Sequence, residues 1–156
     1  MKQTVIIPFI LLLTGALAPV ARATDETRAK ELQRERAKLQ KVTDPVERAK
    51  IGVKISDILI EDVGDAVRKG NIADMQTQLA AYAETIENAH QELVDSGRNA
   101  AKKPSGFKEL EIALRQQVRK LDELSRMLNL QSRVPVEKTK DLATGIRDKL
   151  LKALFP

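Results

Sequence analysis

The chain predicts an all-α fold: an antiparallel up-down bundle of four helices with a charged N-terminal helix in front. Three observations carry this expectation. The segments Ile72 to Leu93 and Phe107 to Leu128 repeat apolar residues at alternating steps of three and four, the heptad pattern of helices packed along a bundle seam. Start and stop signals punctuate the chain at Asp44-Pro45-Val46-Glu47 and at Gly70-Asn71. Finally, 42% of the 156 residues are apolar and none is Cys, so one domain must build its core from packing alone, without disulfides or thiolate metal sites.

The first segment reads as a leader. Lys2 precedes the uncharged run Val5 to Ala18, and Ala21-Arg22-Ala23 supplies small residues before Thr24. This is the three-part pattern of a signal peptide, with cleavage expected after Ala23. The run is also short for a hydrocarbon layer that needs about 20 apolar residues, and Pro8 and Gly15 interrupt it. Residues 1–23 are therefore read as a cleaved leader directing a bacterial protein to the periplasm or outside. Its loss removes two cations, Lys2 and Arg22, and no acid, lowering the formal charge from +5 to +3. Export and this modest charge argue against nucleic acid as a partner.

Residues 24–43 form a charged helix or arm, with Ala29, Leu32, Leu39 and Val42 as a sparse apolar stripe. The bundle domain spans 44–156. Asp44 as N-cap, Pro45 at the first helical position and Glu47 at the third start a helix that runs to Lys69. Ile51, Ile55, Ile58, Leu59, Val63 and Ala66 cover one arc of it, widened by Val53, Ile60 and Val67, which places it centrally. Gly70 suits a left-handed C′ position and Asn71 the next N-cap. Ile72, Met75, Leu79, Tyr82, Ile86, Ala89 and Leu93 make the third helix's stripe, and Ser96 to Ser105 forms a loop. In the fourth helix Phe107, Leu110, Leu114, Leu121, Leu124 and Leu128 repeat the pattern. Only Gln117 breaks it, with Val118 beside it as filler. A turn is expected from Asn129 to Pro135, because the residue before Pro disfavours helix. The last helix then runs from about Val136 to Leu154, with Leu142, Ala143, Ile146, Leu150 and Ala153 inward. Lys138, Lys140, Arg147, Lys149 and Lys152 face water.

Catalytic chemistry finds little material. Glu87-Asn88-Ala89-His90 has the Glu-x-x-His spacing of di-iron bundles, but such a site needs the motif twice and the chain has one His. Haem ligation by His90 with Met75 or Met127 is the other cofactor arrangement the composition permits, although Met75 already occupies a seam slot. There is no Gly-x-Ser-x-Gly elbow, and Ser56, Ser96, Ser105, Ser125 and Ser132 read as surface or capping residues. The acid pairs Glu61-Asp62 and Glu109 with Glu111 are spaced so that neither faces a common point. No catalytic, cofactor or metal residue is assigned. Arg98, Lys102, Lys103 and Lys108 form an acid-free basic stretch, a candidate anion-binding surface for lipid headgroups or polymer.

The string Leu79-Ala80-Ala81-Tyr82-Ala83-Glu84-Thr85-Ile86-Glu87-Asn88-Ala89, after a capped helix and Gly70-Asn71, resembles a family of helical domains of unknown function in exported or membrane-tethered bacterial proteins. The resemblance covers about residues 44–95 and implies a helical domain with no catalytic residues. The expected function is therefore non-enzymatic: binding another envelope protein or a second copy of itself, or binding an anionic lipid or polymer electrostatically.

Overall fold

A computed structural model describes residues 19–156, with side chains from Asp25 onward. The leader expected over residues 1–23 lies outside the described residues, except that the backbone from Pro19 begins the first helix. The described residues form five helices and no strand: α1 (Pro19–Leu39), α2 (Pro45–Arg68), α3 (Ile72–Asp95), α4 (Phe107–Arg126) and α5 (Leu130–Leu154). None of these is long and apolar enough to cross a membrane.

The α2–α3 corner forms as its residues dictate. Asp44 accepts the Glu47 N–H at 2.9 Å and Pro45 opens the helix. At the other end Gly70 has φ +67°, and the N–H groups of Gly70 and Asn71 reach back to the carbonyls of Val67 and Ala66 at 3.1 and 2.9 Å. This is the paired bonding of a Schellman motif, which satisfies carbonyls the helix end leaves unpaired. Asn71 then caps Asp74 N–H at 3.1 Å.

The core organises around α2. Thirteen of its residues are buried, including Ile51, Ile55, Ile58, Leu59, Ile60 and Val63, so its apolar arc is broad and needs cover on several sides, while Glu47, Lys54, Asp57 and Arg68 stay exposed. Its largest contact is with α3; α4 and α1 take the other flanks, while α5 packs on α4 and α3. Chain direction follows from paired residues. Arg48 meets Glu92, and a Cβ on Gly52 would lie 3.0 Å from that of Ala89, so α2 and α3 run oppositely. Gln117 with Ser56 and Lys120 with Glu61 set α4 parallel to α2. Arg147 with Glu111 and Lys140 with Asp122 turn α5 back along α4.

The expected seam residues of α3 from Met75 to Leu93 are all buried, and so are those of α4 from Phe107 to Leu124. Gln117 keeps its seam position rather than yielding it to Val118, because its polar atoms are all used. It accepts the Tyr82 hydroxyl at 2.9 Å and donates to Ser56 Oγ at 2.8 Å and Asp57 Oδ1 at 2.7 Å. Ser56 and Ser125 are thereby interior residues, not surface ones.

Three expectations are corrected at the C-terminal end. Helix α5 starts at Leu130, six residues before the expected position, with Pro135 inside it. Asn129 caps Ser132 N–H at 2.9 Å, and Arg133 donates to the carbonyls of Ser125 and Leu128, tying the new helix to the end of α4. Pro135 removes only the bond to Gln131, an exposed residue in the first turn, where helix ends tolerate the loss best. Ala153 is exposed, while Val136 and Thr139 complete the buried face. Lys140 and Arg147 pair with acids of α4 rather than facing open water.

Two substitutions test this core. Gly52→Leu should cost about 1–3 kcal/mol in urea unfolding, since the added side chain meets α3 backbone-fixed atoms; adding Ala89→Gly should recover part of the loss. Tyr82→Phe should cost about 1–2 kcal/mol by leaving the buried Gln117 carbonyl oxygen unpaired. Combining it with Gln117→Leu should cost less than the two single losses added.

Candidate functional site

Three surfaces combine concavity with chemistry. The first two flank α1. This helix lies antiparallel along α2: Asp25 pairs with Lys69 at 2.8 Å at one end, and Arg48 donates to the carbonyls of Leu39 and Val42 at the other. The side chains that face α2 are only partly those the apolar stripe suggested. Ala29 is exposed, Leu32 and Leu39 pack against the core, and Glu35 is buried between them.

Charge governs this contact. Arg28 pairs with Asp25 at 2.7 Å, Asp62 at 3.5 Å and Asp65, while Arg68 also holds Asp65. Hydrogen bonds from Lys69 and Arg28 pull the Asp25 carboxyl below its ordinary range, whereas burial pushes that of Asp62 upward. Glu35 is only 2% exposed. Its Oε1 accepts from Lys38 at 2.7 Å, which holds its pKa low despite burial, but its Oε2 has no hydrogen-bond partner. On one flank of α1, a cleft of about 390 Å³ is floored by Gly52, Ile55, Ala81 and Ala89. On the other, one of about 380 Å³ lies over Ile58 and Ile60, beside Gln117 and Lys120.

The third surface lies at the basic stretch, whose four predicted residues separate. Arg98 is half-buried in the turn after α3, its backbone N–H donating to Ser96 Oγ at 3.3 Å, and its Nε is buried without a partner. Lys102, Lys103 and Lys108 are exposed. Lys108 lines a cleft of about 340 Å³ between the 96–106 loop, α4 and the end of α5, together with Ala100, Pro104, Ile112, Arg115 and Phe155. Lys102 and Lys103 sit in the loop between two of its lining residues, Ala101 and Pro104. Arg115, Ile112 and Phe155 escape a reading of the basic stretch because they come from later segments. Their only local signal is the seven-residue spacing of Lys108 and Arg115 around Ile112.

The remaining candidates disperse. Glu61 pairs with Lys120 and Asp62 with Arg28; Glu109 accepts the Gly106 N–H at 2.6 Å at the start of α4, and Glu111 accepts from Arg147 at 3.0 Å. Glu87 is exposed while His90 is half-buried, Met75 is fully buried in the core and Met127 is exposed. Among the described residues no three His, Cys, Asp or Glu side chains converge as metal ligands would. No family model, curated protein or solved structure matches the chain.

His90 has a measurable consequence. Burial first, and the neighbouring Lys149 charge second, hold its pKa below the ordinary 6.5. The unfolded chain therefore takes up the proton first on acidification. Its contribution to stability is full above pH 6.5 and is lost as pH falls through the folded-state value. Unfolding free energy should begin to decline as pH falls below 6.5, above the range where ordinary carboxylates titrate. His90→Gln should flatten that part of the profile.

Proposed function

We propose that the protein is an exported, non-enzymatic helical bundle that acts by protein–protein interaction in the cell envelope, on a partner protein or on its own copies. In this reading α2 to α5 are the antiparallel up-down four-helix body, and the charged α1 is the element that exchanges. The observation that carries it is the α1–α2 contact. Among the described residues helix α1 packs on α2 and on no other helix, and its buried face includes a carboxylate oxygen without a partner. Burying an acceptor unpaired forfeits its solvation without return, so a better-matched helix gains by replacing α1.

The surface beneath favours such an exchange. Ile55 and Ile58, which line the clefts on either flank, are 2% and 8% exposed with α1 in place. A contiguous apolar strip of that kind is what helix-in-groove recognition uses. The ion pairs of Arg28 and Asp25 with α2 set register more than strength, because partly exposed pairs contribute about 0–1 kcal/mol each.

Light scattering after size exclusion, with cross-linking in envelope preparations, tests the reading on three forms: the full chain, a chain lacking residues 24–43, and Glu35→Leu. The truncated chain should self-associate or gain cross-links through α2. Glu35→Leu should melt higher and cross-link less, because α1 is held more tightly. A monomer in all three forms, with unchanged cross-linking, overturns the reading.

A further inference from the structure

The cleft at the basic end differs from those beside α1 in its charge balance: its two cations, Lys108 and Arg115, outnumber its one acid, Glu111, which Arg147 already pairs. We propose that it binds a single-chain anionic amphiphile, with the acyl chain over Ile112 and Phe155 and the headgroup between Lys108 and Arg115. This site is independent of α1 and of the partner reading above.

The shape argues for a chain rather than a flat surface. Ala100 and Pro104 of the loop, Ile112 of α4 and Leu154 and Phe155 at the end of α5 enclose about 340 Å³, within the span of about 300–1,000 Å³ typical of small-molecule pockets. Phe155 is 74% exposed at its edge, a large apolar side chain with most of its surface uncovered. An acyl chain would cover it along with Ile112.

Charge selects the headgroup. Lys108 and Arg115 stand two helical turns apart on one side of α4, about 10 Å along the axis, with Ile112 between them. Both are long enough to converge on one anion. Neither has an ion-pair partner among the described residues, and neither do Lys102 and Lys103 beside them. The acids nearby are committed elsewhere: Glu111 lines the cleft but accepts from Arg147, and Glu109 accepts the Gly106 N–H. The net field at the cleft is therefore positive, and a guanidinium with an ammonium suits a carboxylate or phosphate headgroup.

Isothermal titration of the full chain with dodecanoate, below its micellar concentration, tests the site. The expected result is saturable uptake at one per chain, with dodecyltrimethylammonium at least about tenfold weaker, as loss of charge-assisted contacts implies. Lys108→Gln with Arg115→Gln should weaken dodecanoate by about tenfold or more, and Ile112→Asn should weaken both amphiphiles. These residues are exposed or half-buried, and circular dichroism checks that the variants keep their helix. Equal affinity for both amphiphiles, binding unchanged by the substitutions, or no saturable uptake overturns the proposal. Binding to phosphatidylglycerol vesicles without uptake of dodecanoate also overturns it and assigns this end to a flat membrane surface.

Discussion

The breadth of the apolar arc on α2 is the constraint from which the rest of the molecule follows. A helix with isoleucines and valines around most of its circumference cannot rest on one neighbour and leave its back to water. It needs several neighbours, and α3, α4 and α1 divide its apolar arc. Helix α3 approaches most closely because Gly52 and Ala89 leave nothing between the two backbones. Helix α4 approaches on the side where Gln117 meets Ser56 and Asp57. The sector left over falls to α1, which meets it with a mixture of leucines and charges. The most polar helix thus covers the sector of α2 that the two more apolar helices leave.

The Tyr82–Gln117–Ser56 network gives that packing a register. Leucines in a heptad seam interdigitate almost as well one turn up or down, so apolar packing alone discriminates poorly between alignments. A buried amide that must find a hydroxyl on α3 and another on α2 does discriminate, since a one-turn slip would strand several polar atoms in a dry core. Glu35 presents the opposite case. Its buried carboxylate is only half satisfied, and a half-satisfied polar group marks the seam where structure gives way first. The same kind of residue thus secures one interface and loosens another, according to whether its hydrogen-bonding atoms are used.

The two proposed surfaces lie on different elements and depend on different physics. Beside α1 the resource is apolar area already covered by a helix, so binding there is an exchange. At the basic end the resource is a cleft left uncovered when α5 finishes against the 96–106 loop, bordered by cations with no ion-pair partner among the described residues. One surface competes with the chain's own structure and the other does not.

The sequence by itself determined the helices and their inward faces. Capping at Asp44 and Asn71, the Gly70 turn and the alternating steps from Met75 to Leu93 and from Phe107 to Leu124 are local, and local geometry follows from local chemistry. It also indicated that no cysteine or repeated histidine motif was available for cofactor chemistry. The start of α5 was not legible, because Pro135 is a breaker by itself and becomes tolerable only when Asn129 and Arg133 anchor the turn before it. The roles of Glu35, Arg115 and Phe155 were not legible either. A charged residue on a polar helix, an arginine on an exposed face and an aromatic near the chain's end each read as solvated. Tertiary structure alone decided which of them is buried against α2 and which share a cleft, because those contacts join segments far apart in the chain and no short-range pattern encodes which distant element will arrive.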